Sequence, residues 1–424
     1  MVLRLIWAAS LLVLSLHAKP LSVQISAPHA ILINADTGAV LYEKECHERA
    51  YPASITKIAT ALYVLEKKGN KLDEIVQASK NAVHLVHSSI LDADPSRFQP
   101  YQLTHDGTSM GLKGGEVVSV SMLLHGLMMC SGNDAANVLA ESLSGDINQF
   151  CRELNGFLKE HGIVETQFVN PHGLHQENHW TTAYDMAQIT RLALKHPAFR
   201  EIVKTARYLK PQTNLQQAGY FYQRNKLLKA GPYYYPKAIG VKIGYHSRAG
   251  FTLVGAAKHE GRTLIAVVLK CQPNVNAFRD QIKLFDAAFA EKKISRTLYA
   301  QESDLFTHRI KGASSDLKAF LKDDVVLEYY PAEEPKYRAE IKWIVKDLPL
   351  SAGDFVGHLR LVDEKENVLL EKPIYATNSV SQTVWAMVSD FCWRHKALCL
   401  ALFLGSQVIL LLIYYFKKHQ KVRE

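Results

Sequence analysis

Pro52-Ala53-Ser54-Ile55-Thr56-Lys57, running into the apolar stretch Ile55 to Leu65, is where the reading of this chain is decided. Apolar residues recur there at three-and-four spacing, which predicts a helix with Ser54 and Lys57 at its start. Residues three apart share one helix face. A serine hydroxyl is a weak nucleophile until a base takes its proton, and a lysine desolvated at a helix start can have its pKa lowered enough to be that base. Alone, the motif is weak, and its default reading is a capping Ser54 with a solvated Lys57.

Two further segments change its meaning. Ser131-Gly132-Asn133-Asp134 lies between the helical runs Met122 to Met129 and Asp134 to Leu143. A loop there can aim Ser131 into a cleft to relay a proton and Asn133 to hold a substrate amide, although an ordinary turn with Asp134 capping the next helix has the same sequence. Gly240-Val241-Lys242-Ile243-Gly244-Tyr245 leads into a strand at Phe251. Glycine beside a strand lysine lets a substrate backbone approach closely, and the lysine charge favours an anionic terminus.

Working outward, Ala30 to Asn34 and Ala39 to Tyr42 flank Asp36-Thr-Gly38 and predict a β-hairpin. Thr182 to Lys195 predicts another helix, and Phe251 to Val254 and Thr263 to Leu269 predict strands around a turn at His259-Glu-Gly261. A strand region, then helices, then strands implies an α/β (α+β) domain with a mixed sheet and a helical subdomain. From Lys293 the texture changes to strand-like runs at Val325 to Tyr330, Arg338 to Val345, Phe355 to Val362 and Val368 to Ile374. They predict a small all-β domain over 293–378 with no catalytic cluster, hence a structural part.

The ends point to a membrane. Met1 to Ala18 places Arg4 before the apolar run Leu5 to Leu16, the pattern of a secretory signal peptide or, uncleaved, of an anchor. Ala397 to Phe416 as a helix is about 30 Å long, one bilayer core. Lys417, Lys418, Lys421 and Arg423 follow it and put the carboxyl terminus in the cytoplasm, with Trp385, Phe391 and Trp393 suited to the interface. The net charge of +9 shows no dense basic stripe with interleaved aromatics, which excludes a nucleic-acid partner and leaves anionic lipid or an anionic cell-wall polymer. The six cysteines form no CxxC pair, and His84, His87 and His105 are spaced irregularly, so neither a disulfide framework, a metal site nor a cofactor is indicated. The stretch His84 to His105 reads as a solvated surface loop.

Ser-x-x-Lys, Ser-x-Asn and Lys-x-Gly in this order resemble the set carried by penicillin-recognising serine enzymes. Gly107-Thr-Ser109, Leu112-Lys-Gly-Gly115, Phe168-Val-Asn-Pro-His-Gly-Leu174, Thr182-Ala-Tyr-Asp-Met-Ala187, Arg224-Asn-Lys-Leu-Leu228 and Ala249-Gly-Phe251 extend the likeness over residues 25–290. The family it resembles is the D-alanyl-D-alanine carboxypeptidases among the low-molecular-mass penicillin-binding proteins. The resemblance implies a β-lactamase/D,D-peptidase-like domain that removes the terminal D-alanine from peptidoglycan stem pentapeptides and binds β-lactam antibiotics covalently. It makes Ser54 the nucleophile, Lys57 its base and Ser131 the proton relay. The N–H groups of Ser54 and Tyr245 would form the oxyanion hole, beside Gly244, with Asn133 and Lys242 binding substrate. Where the family's third motif has threonine, this chain has Ile243, and Arg224 or Arg248 is expected to clamp the terminal carboxylate instead. The stretch His84 to His105 is longer than the family leads one to expect. Competing readings are a weakened penicillin-binding scaffold, a D,D-endopeptidase, and a β-lactamase, the last disfavoured because no Glu-x-x-Leu-Asn-like segment lies between Asn133 and Lys242.

Overall fold

Alternating apolar side chains along His29–Asn34 send Ile31 and Ile33 into one buried cluster and Ala30 and Leu32 into another. That is the period of a strand covered on both faces. Val40–Lys44, Ala238–His246, Gly250–His259 and Arg262–Cys271 complete a five-stranded sheet. In space Ala238–His246 lies at one edge, then Gly250–His259, Arg262–Cys271, His29–Asn34 and Val40–Lys44. The mixed sheet expected from element order is antiparallel at every pairing. Short turns join three of the four neighbouring pairs, and such turns permit only antiparallel neighbours.

The computed structural model describes residues 8–11, 19–69, 71–302, 305–345, 347–364 and 366–420. They fall into two units, 18–292 with 330–333, and 1–17 with 293–329 and 334–424. In the first unit, one sheet face carries a helical region and the other packs on Val275–Ala290. The helix that follows the nucleophile candidate, Thr56–Lys68, is buried without a break from Thr56 to Leu65, as expected of a helix at the centre of a core. Around it stand Val120–His125, Asn133–Ser144, Ile147–Glu160 and Ala183–Ala193. Ser119, Asp146 and Thr182 cap three of these helices by accepting a backbone N–H.

The stretch His84 to His105 departs from the plain loop expected. Leu85–Val86 pairs in parallel with Leu103–Thr104, and Ser88–Ala93 forms a short helix between them. Tyr101, Leu103 and Thr104 are buried, so apolar and β-branched residues root this insertion in the fold.

In the second unit Arg338–Trp343, Phe355–Val362, Val368–Ala376, Leu317–Leu321 and Phe306–His308 form an antiparallel sheet. Its core includes Leu317, Val356, Leu359, Leu361 and Ile374. Ile294–Tyr299 pairs separately with Val325–Tyr329. Of the segment 1–18, read from sequence as a signal, only Ala8–Leu11 lies within the described residues, as an edge strand beside Arg338–Trp343. Lys396–Gln420 is one helix, and its portion Lys396–Tyr414 is long and apolar enough to cross a membrane.

Candidate active site

Ser54 sits in a single turn, Ala53–Ile55, immediately before the buried helix. Ala53 adopts φ 51°, a left-handed conformation that an L residue occupies only under constraint. The constraints are visible. Thr252 Oγ1 donates to Pro52 O at 2.9 Å, Thr56 Oγ1 donates to Ala53 O at 2.9 Å, and Gly173 packs so tightly on Ala53 that a Cβ there would meet its carbonyl oxygen at 2.0 Å.

One turn along, Lys57 is fully buried, and its Nζ lies 3.0 Å from Ser54 Oγ, 2.7 Å from Asn133 Oδ1 and 2.6 Å from His172 O. Burial, then the charge of Lys242, holds its pKa well below the ordinary lysine range, with Arg224 adding in the same direction. Lys242 is also buried, and its Nζ donates to Ser131 Oγ at 3.0 Å and to Ile243 O at 2.9 Å. Burial and the nearby Arg224 lower its pKa to about 7.

Ser131 is presented by an unusual helix end. Val120–His125 widens to a π-turn over Gly126–Cys130, and Ser131 follows at φ 62°. π-turns and left-handed non-glycine residues concentrate at functional sites. The turn is anchored from Thr108, whose Oγ1 donates to Ser131 O at 2.5 Å and whose carbonyl accepts Asn133 N–H at 2.8 Å. Asp134 lies in the first turn of Asn133–Ser144 and is not the cap that an ordinary turn would make it, because Gly132 holds that position without a side-chain hydrogen bond. The Asp134 carboxylate accepts from Ser109 Oγ and from the N–H groups of Met110, Gly111, Leu112 and Ala135, so it ties the segment 109–112 to the start of Asn133–Ser144.

Gly244 lets the edge strand approach the nucleophile turn closely. A Cβ there would lie 2.8 Å from Ser54 N and 2.5 Å from Thr252 Oγ1. Ser54, Thr108, Ser131, Asn133, Arg224, Gly244 and Tyr245 line one cleft of about 490 Å³, and Thr104, Asp106 and Gly107 line it too. Ile243 contributes to the lining and packs against the apolar cluster on the opposite sheet face. Of the two arginines expected at the carboxylate, Arg224 lines this cleft, whereas Arg248 lines a separate cavity with Arg49, Trp180 and Lys270.

Some parts of the site are given no role by the sequence, although the segment Phe168 to Leu174 is among those that carry the resemblance. The His172 carbonyl that accepts from Lys57 is a backbone group, placed because its own ring bonds to Tyr101 O at 3.1 Å and Asn170 Oδ1 accepts Gly173 N–H at 2.7 Å. His179 Nε2 lies 2.9 Å from Thr56 Oγ1. Burial keeps His172, at about 3, and His246, at about 4, neutral near pH 7, and the same cause holds His179 well below its ordinary value.

A buried amine within reach of a serine hydroxyl, with a second serine and a second lysine beside it, defines a serine acyl-transfer site of the penicillin-recognising kind. The family model described as D-alanyl-D-alanine carboxypeptidase matches residues 15–272. The D-alanyl-D-alanine carboxypeptidase DacF of Bacillus subtilis is 30% identical over 84% of this chain and 86% of its own length. Among solved structures, the D-alanyl-D-alanine carboxypeptidase DacD of Francisella tularensis shares the fold at TM-score 0.57 and 24% identity, covering 89% of this chain and 98% of its own. The Streptomyces K15 DD-transpeptidase matches at TM-score 0.54 and 29% identity over 63% of this chain and 98% of its own. The chain belongs to the D-alanyl-D-alanine carboxypeptidase family.

Proposed function

We propose that this protein is a serine-type D-Ala-D-Ala carboxypeptidase acting on peptidoglycan stem peptides through an acyl-enzyme on Ser54. The observation that carries the reading is the set of partners around Lys57. A neutral amine has two N–H bonds and one lone pair. Asn133 Oδ1 and the His172 carbonyl can accept the two N–H bonds, which leaves the lone pair facing Ser54 Oγ at 3.0 Å. A lowered pKa makes the neutral form available.

Ser54 Oγ then attacks the carbonyl between the two D-alanines as its proton passes to Lys57. The carbonyl oxygen gains charge against the N–H groups of Ser54 and Tyr245, each such donor contributing roughly 3 kcal/mol in the transition state. Collapse breaks the C–N bond, and Ser131, hydrogen-bonded to Lys242, hands its proton to the leaving D-alanine amine and is reprotonated by the proton that Lys57 took from Ser54, which returns Lys57 to the neutral amine. Water, deprotonated by the same machinery, hydrolyses the ester and frees Ser54. Gly244 keeps the edge strand close enough for the substrate backbone to pair with it, and Arg224 faces the terminal carboxylate that Ile243 cannot hydrogen-bond. A β-lactam enters the same first step and stops at the ester.

The apolar helix at the carboxyl end supports a protein held in the cytoplasmic membrane with the unit 18–292 on its outer side. The test is incubation of the protein with a pentapeptide muropeptide and mass analysis of the products. Release of one D-alanine is expected, and Ser54→Ala is expected to abolish both that release and labelling by a fluorescent penicillin. Wild-type labelling without release would mark a penicillin-binding scaffold, and conversion of a cross-linked dimeric muropeptide, supplied in parallel, into its two monomers would mark an endopeptidase.

A further inference from the structure

The insertion His84 to His105 is not used by the chemistry above, yet it touches the cleft. Ser88, the first residue of its short helix, donates its hydroxyl to Asp106 Oδ1 at 2.8 Å. The strand pair Leu85–Val86 and Leu103–Thr104 fixes the base of the insertion, and His105 N–H donates to Val86 O. Asp106 and Thr104 both line the cleft. Gly107, the next residue, is packed against the Asn133 side chain amide, a Cβ on it meeting Nδ2 at 2.9 Å. Gly107, the chain neighbour of Asp106, therefore stands one asparagine side chain and one lysine amine away from Ser54.

Among the described residues lining this cleft, Asp106 is the single carboxylate and Arg224 the single guanidinium. Hydrogen bonds from Thr104 and Ser88 hold the Asp106 carboxyl below its ordinary range, so it is charged at neutral pH. A carboxylate whose oxygens are already oriented by two hydroxyls and still faces open space is matched by a cationic donor. In the acyl-transfer geometry, the residue before D-alanyl-D-alanine lies one peptide unit, about 3.5 Å, from the acylated residue. A side chain of lysine length extends several ångströms beyond that backbone and ends in an amine, a cationic donor.

Resting on the carboxypeptidase reading, we infer that Asp106, oriented by Ser88 from the insertion, selects stem peptides whose residue before D-Ala-D-Ala carries a free side-chain amine. Asp106 is thus a specificity determinant and Ser88 its positioning residue. Neither takes part in bond making.

The experiment measures kcat/KM for D-alanine release from Nα-acetyl-L-Lys-D-Ala-D-Ala and from the Nα,Nε-diacetyl peptide, which lacks the charge. The expected ratio for the wild type is about tenfold in favour of the free amine, the scale of one hydrogen bond to a charged group. In Asp106→Asn the ratio falls to about one, and in Ser88→Ala it takes an intermediate value. Fluorescent penicillin labelling of each variant verifies an intact Ser54 site, a property the ratio does not depend on. A wild-type ratio near one, or an Asp106→Asn ratio equal to the wild type's, overturns the inference and leaves the carboxypeptidase reading standing. Labelling of the wild type with release from neither peptide overturns both.

Discussion

Replacing Gly244 with alanine tests the geometry of the site at its tightest point. The new Cβ would stand 2.8 Å from Ser54 N, about 0.6 Å short of the 3.4 Å at which ordinary contact begins, and closer still to Thr252 Oγ1. Thr252 cannot simply swing aside, because its hydroxyl holds the Pro52 carbonyl. The edge strand and the nucleophile turn must therefore separate. Separation pulls the Tyr245 and Ser54 N–H groups away from a common oxygen. Misplacement approaching 1 Å costs on the order of 100-fold in rate, as does weakening one oxyanion donor. Gly244→Ala is expected to slow acylation by a fluorescent penicillin about 100-fold, equivalent to about 2.7 kcal/mol. Overpacking of this kind destabilises by about 1–3 kcal/mol, so the unfolding midpoint should fall by no more than about 10 °C. Stopped-flow labelling and thermal unfolding read the two effects separately. Acylation within about threefold of wild type at an unchanged midpoint would refute the argument that this glycine sets the distance between strand and nucleophile.

Three other outcomes follow from the charges around the site. Arg224→Gln removes a cation that lowers the pKa of both Lys57 and Lys242, so both should rise and the pH–rate profile should move to higher pH; a profile that stays or moves down contradicts the assignment. Asp134→Asn weakens the anchor of the segment 109–112 and should cost about 2 kcal/mol, read as a drop of several degrees in the unfolding midpoint. His172, His179 and His246 have folded pKa values below the unfolded 6.5, so the unfolded chain binds more protons on acidification. Their contribution is full above 6.5 and is lost as pH falls toward about 3 for His172 and about 4 for His246, by about 1.4 kcal/mol per unit for each histidine; midpoints measured between pH 7.5 and 5 should decline accordingly.

The chemistry was legible because acyl transfer needs particular residue types, and Ser54 with Lys57, Ser131 with Asn133, and Lys242 with Gly244 stand at readable spacings. The sheet was legible in part. Two-faced burial makes its strands nearly continuous apolar runs, but strand direction is a property of the turns between them. The helix Ile147–Glu160 went unnoticed, although Ile147, Phe150, Cys151, Leu154 and Leu158 mark a buried face. In the second unit the largely exposed Ile294–Tyr299 offers no clear alternation, whereas Leu317–Leu321 alternates buried and exposed residues as a strand should, a signal carried by only five residues. Arg224 and Arg248 looked alike in sequence and line different cavities, since only tertiary packing decides which wall a side chain joins. The histidine-bearing stretch His84 to His105 read as solvent-facing because its apolar anchors, Tyr101 and Leu103, are few and follow no period.

The left-handed Ala53 and the Gly173 that presses on it limit how this turn can change. Relief of the bend by Ala53→Gly would suit the local φ, yet it would give the nucleophile's neighbour freedom that an L residue lacks. A side chain at Gly173 would drive into the Ala53 carbonyl and push the turn toward the cleft. Because that clash is with backbone, no change of side chain at residue 53 makes room for one at 173, and a graft of the Ser54 helix into another scaffold would have to carry the Gly173 loop with it to keep the turn's shape.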